Sequence, residues 1–85
     1  MRLPRIKHVN QFIEDNDQDF VLETIESLEN LIECDNIKDD ELDVIGELLS
    51  NFYGAIEVNK MIKEGLTQRE ALNKFMSRVT GSIDR

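Results

Sequence analysis

Residues 41–64, ELDVIGELLSNFYGAIEVNKMIKE, decide the fold. Leu42, Ile45, Leu48, Leu49, Phe52, Ala55 and Ile56 recur at spacings of three and four, which lays them along one face of an α-helix. About 24 residues at ~1.5 Å rise make a rod on the order of 36 Å long, enough to organise a small domain. Asp39 or Asp40 is expected to cap its start, in the acidic setting that the positive end of a helix dipole favours. Gly65 is expected to end it in a left-handed conformation.

Working outward, Thr67-Gln68-Arg69-Glu70 has the form of a capping box, so a further helix starts there and turns Ala71, Leu72, Phe75, Met76 and Val79 inward until Gly81. Upstream, Asn16 or Asp17 caps a helix bearing Val21, Ile25, Leu28 and Ile32, which is expected to stop by about Asp35. Before it, a helix from Pro4 to about Asp15 places Ile6, Val9, Phe12 and Ile13 on one face. No stretch alternates strictly as a half-buried strand would. The expected fold is all-α: one domain over residues 1–85, a compact bundle of about four helices around one long central helix.

An 85-residue chain holds one modest core, which leaves only ~3–5 kcal/mol of net stability and makes association with another chain a natural supplement. The sequence carries 10 Lys and Arg against 18 Asp and Glu, for a net charge of -8. That balance repels phosphate backbones and anionic membrane surfaces, so neither nucleic acid nor membrane is an expected partner. The charge is uneven: residues 11–47 hold fourteen acids and Lys38 alone among bases. With one cysteine, Cys34, the chain forms no internal disulfide, and the first residues lack the apolar core of a signal peptide. The cytoplasm is the expected compartment.

The chemistry offered by side chains is thin. Asp15, Asp17, Asp19, Glu23 and Glu26 fall where a calcium EF-hand loop places its oxygen ligands, and Leu22 fits that loop's apolar position. Phe20, however, stands where the loop turns sharply on glycine. The plainer reading of these five residues is an acidic helix start. One histidine, His8, cannot supply a two-histidine zinc motif, and a lone cysteine cannot form a CxxC pair. Cys34 has acidic neighbours, Glu33 and Asp35, and no cationic partner in sequence, which reads as an inert thiol. No catalytic residue and no cofactor is expected.

On the back of the long helix, Gly46, Ser50 and Gly54 recur every four residues and form a strip without bulk. Two glycines inside a helix cost about 1 kcal/mol each relative to alanine, so close approach by a neighbour is expected to compensate. The occupant is either another helix of the same chain or a second copy in a homodimer. Asn59, near the front stripe, is expected either to be a buried polar residue fixing register or to sit at an edge open to water.

Two resemblances bear on function. Residues 57–75, EVNKMIKEGLTQREALNKF, look like the first part of a helix-turn-helix from LuxR-type regulators, which implies DNA binding. The acidic body and the want of a following basic recognition helix weigh against that implication. Taken whole, LPRIK at 3–7, DFVLETIESLE at 19–29, ELDVIGELLSNFYGAIEV at 41–58 and EGLTQREALNKFMSRVTGSID at 64–84 resemble a family of short helical proteins of unknown function from Bacteroidetes-type bacteria. The resemblance implies a compact helical protein. Through members encoded near thioredoxin and peroxiredoxin genes, it also implies an accessory role in thiol redox metabolism. The residues themselves point to a non-enzymatic, acidic, helical protein-protein interaction module.

Overall fold

The computed structural model describes residues 3–83, with side chains described for residues 3–78. Four helices follow one another: α1 (Leu3–Asp15), α2 (Gln18–Ile32), α3 (Asp39–Lys63) and α4 (Gln68–Ile83). No strand occurs among the described residues. The fold is a small all-α bundle in which α3, the longest element, packs against each of the other three.

The helix ends follow from local chemistry. Asp17 is the N-cap of α2, its carboxylate accepting from the Asp19 amide at 3.0 Å. α2 ends at Ile32, within the expected limit of about Asp35, where Glu33 and Cys34 turn their amides back to Asn30 and Leu31, the residues three before them. The N-cap of α3 is Lys38, not Asp39 or Asp40. Glu41 causes the difference: its carboxylate accepts from the Lys38 amide at 3.0 Å, which draws both aspartates into the first helical turn. At the other end Gly65 takes φ 114°, Leu66 donates to the Met61 carbonyl at 3.2 Å and Gly65 to that of Ile62 at 3.0 Å. This glycine-terminated turn uses up the carbonyls that the helix end leaves free. The Thr67–Glu70 box then forms in both directions, at 2.9 and 3.1 Å. α4 runs on to Ile83, so Gly81 lies inside the helix instead of ending it, as a single glycine can at a cost of about 1 kcal/mol.

α1 lies alongside the C-terminal part of α3 and runs in the same direction, Arg5 meeting Glu47, Ile6 meeting Gly54 and Asn10 meeting Asn59. The core is Ile6 and Ile13 of α1, Val21 and Ile25 of α2, Ile45, Leu49, Ala55, Val58 and Met61 of α3, and Ala71 and Phe75 of α4. Three residues expected inside are substantially exposed: Phe12, Ile32 and Leu48. The burial expected of Val79 lies outside the described side chains. In their place two asparagines at the α1–α3 contact are buried, where Asn59 donates to the side-chain oxygen of Asn10 at 3.1 Å and to Glu14 at 3.2 Å. The molecule is a slab, 43 × 36 × 17 Å, with a radius of gyration of 13.8 Å. A globule of this length has a radius of gyration of about 12 Å.

Candidate interaction surface

α1 holds 13 residues and α3 holds 25, so α1 covers only part of its neighbour. Upstream of Glu47, no helix among the described residues covers the flank of α3 that continues the line of α1. Val44 and Leu48, one turn apart on that flank, are 59% and 40% exposed. They form a ridge with a depression on each side. Toward α2, Leu31, Ile37, Asp40, Glu41, Val44 and Ile45 line one of about 360 Å³. Toward α1, Arg5, Asp43, Val44, Glu47 and Leu48 line another of about 440 Å³.

The same α2–α3 seam continues to the far end of α2. There His8, Val9, Phe12, Phe20, Val21, Thr24 and Phe52 enclose a third depression of about 320 Å³. Phe12 and Phe20 meet edge to face across it, their ring centroids 6.0 Å apart. On α2, at about 100° per residue, Phe20, Thr24, Ser27 and Leu31 fall on one stripe, and on α3 Val44, Leu48 and Phe52 follow one another turn by turn. The two stripes flank an apolar seam in which Phe20 and Leu31 are also exposed. Its rims are acidic: Asp40, Glu41, Asp43 and Glu47 border the α3 side. Arg5 is paired with Glu47 there at 3.3 Å.

The residues singled out in sequence are distributed differently. Asp15 ends α1 and accepts from Gln11 at 3.1 Å, Asp17 caps α2, and Asp19, Glu23 and Glu26 stand exposed on α2. Residues 18–26 are helical, whereas a calcium loop must wrap its ligands round the ion, and the five carboxylates are not brought together. Among the described residues no three His, Cys, Asp or Glu side chains are grouped to hold a metal ion. Cys34 is exposed beyond the end of α2, while His8 sits on α1 at the opposite end of the seam. The glycine strip divides. A Cβ on Gly54 would lie 2.9 Å from Ile6 Cδ1 and 3.1 Å from Phe75 Cζ, so α1 and α4 occupy that end. Ser50 is half-buried, and Gly46 is open, with nothing within 4 Å of the position its Cβ would take. On the helix-turn-helix segment, Phe75 is buried in the core, its ring against Gly54.

Tyr53 and Glu70 titrate away from their ordinary values for local reasons. Tyr53 donates to Glu29 on the outer surface, and that bond to a carboxylate raises its pKa above 10.0. Glu70 is lowered below 4.5 by the Thr67 backbone amide and then the Thr67 hydroxyl.

A family model described as a family of unknown function (DUF6952) matches residues 1–84. The chain belongs to this DUF6952 family. The match takes in all four helices, so the seam between α2 and α3 lies within the DUF6952 region. No curated protein and no solved structure matches the chain. No helix among the described residues is long and apolar enough to cross a membrane.

Proposed function

We propose that the protein is a non-enzymatic helical protein-protein interaction module whose working surface is the α2–α3 seam, centred on Val44 and Leu48. The observation that carries this reading is the apolar ridge of Val44 and Leu48, 59% and 40% exposed, with a depression on each side. Val44, Leu48, Leu31 and Phe20 supply apolar groups for such a contact, and the acidic rim supplies its polar border.

The non-enzymatic part of the reading is supported by the arrangement of reactive groups. His8 and Cys34 stand at opposite ends of α2, and the shifts of Tyr53 and Glu70 belong to a surface hydrogen bond and a helix cap. The test is affinity capture from the native host with the wild-type chain and with Leu48→Glu. The reading expects a protein held by the wild type and lost from the variant. Identical captured sets would refute it.

A further inference from the structure

The seam has a shape and a charge that together select its occupant, an argument that rests on the interaction reading above. From Val44 to Phe52 the ridge of α3 spans about 12 Å, and from Phe20 to Leu31 the facing stripe of α2 spans about 17 Å, lengths that match two to three helical turns. A segment seated on apolar side chains must satisfy its own backbone hydrogen bonds. No strand edge among the described residues offers to pair with it, so a helix meets that condition where an extended peptide does not.

The rim sets the sign of the occupant's charge. The residues lining the two depressions beside Val44 carry four carboxylates against the single base Arg5. Asp40 and Glu41 lie at one depression beside Val44, and Asp43 and Glu47 at the other. A second copy docked face to face would set these carboxylates against their own counterparts, an arrangement that costs free energy at a protein contact. Among the described residues of the basic α4, Ala71 and Phe75 are already buried against α3, and Leu72 and Met76 pack against the same core. We infer that the α2–α3 seam binds a basic amphipathic helix of a different protein, its apolar stripe on Leu31, Val44 and Leu48 and its Lys or Arg side chains over Asp40 and Asp43.

The inference is tested with a synthetic amphipathic helix of about 18 residues, leucines on one stripe and lysines flanking it, and a twin with glutamate in place of each lysine. Both are titrated into the isotopically labelled protein and followed by amide chemical shifts. The lysine peptide is expected to move the amides of Leu31, Val44 and Leu48, with an affinity that falls as salt is raised. Leu48→Asp and the double variant Asp40→Lys with Asp43→Lys should each weaken it about tenfold or more. Both variants change exposed residues, and unchanged circular dichroism establishes that they fold. Equal binding of the glutamate twin, or shifts confined to another face, overturns the inference. So does a dimer seen by light scattering that Leu48→Asp breaks, although that result leaves an interaction role for the seam standing. Loss of both peptide binding and seam-dependent capture would remove the two readings together.

Discussion

Replacing Gly54 by alanine and Gly46 by alanine makes the same chemical change at two points of one helix, yet the bundle predicts opposite outcomes. In a helix interior the change favours folding by about 0.5–1 kcal/mol through backbone entropy. At Gly46 nothing lies within 4 Å of the new methyl, so that gain survives. At Gly54 the methyl would come within 2.9 Å of Ile6 Cδ1, 3.2 Å of Ile6 Cγ1 and 3.1 Å of Phe75 Cζ. Ile6 is completely buried and Phe75 nearly so, which leaves neither side chain an open direction in which to yield. Overpacking of this kind costs about 1–3 kcal/mol, so after the entropic gain Gly54→Ala should lose about 1 kcal/mol. With a urea dependence of about 1 kcal/mol per molar, the unfolding midpoint should fall by about 1 M for Gly54→Ala and rise by about 0.5–1 M for Gly46→Ala. Midpoints moving together in either direction would refute the assignment of Gly54 as the point where α1 and α4 close on α3.

Asn10→Ala strips Asn59 of one buried partner and should cost about 1–3 kcal/mol, and the loss in a double variant with Asn59→Ala should fall short of the summed single losses, as urea titrations of the three variants would show. Thr67→Ala should cost about 1 kcal/mol by removing the cap of α4, measured the same way. Because the folded pKa of Glu70 lies below its ordinary 4.5, its contribution to stability is present above that value and lost as pH falls through the lower folded value. Glu70→Gln should therefore flatten that part of the acid limb of stability against pH. The chain has one tyrosine and no tryptophan, so the ultraviolet signal of tyrosinate reports Tyr53 alone. Its midpoint should lie above 10.0 in the wild type and drop in Glu29→Gln. The stability gained from that bond is full below pH 10.0 and is lost as pH rises through the folded value.

The elements that could be read from the sequence are those whose cause is local. Gly65 and the Thr67–Glu70 box define the α3–α4 junction through groups at most a few residues apart, and all of them form as the sequence implies. The extent of α3 follows from a stripe sustained over several turns. Errors arise where a neighbour decides. Leu48 belongs to the same stripe as Leu49, but α1 ends short of it and leaves it exposed, and spacing alone contains no information on how far another helix reaches. Phe12 likewise sits on the apolar face of α1 and rests at its margin against Phe20. Asn10 carries no sign in sequence that it will be buried, since its partner Asn59 lies on another helix. Period marks Asn59 as near a core face, and only the parallel course of α1 and α3 brings the two amides together. The glycine strip was legible as a place of close approach, while its division into a filled end and an open end depends on the path of α1.

The seam itself is tested most directly by a photo-crosslinking amino acid placed at position 44 on the ridge, with a control at position 53 on the outer surface beside Glu29, each expressed in the native host. The account predicts a discrete adduct with another protein from position 44, competed away by the lysine peptide, and none from position 53. Adducts of the same mass from both positions, or from position 53 alone, would contradict it.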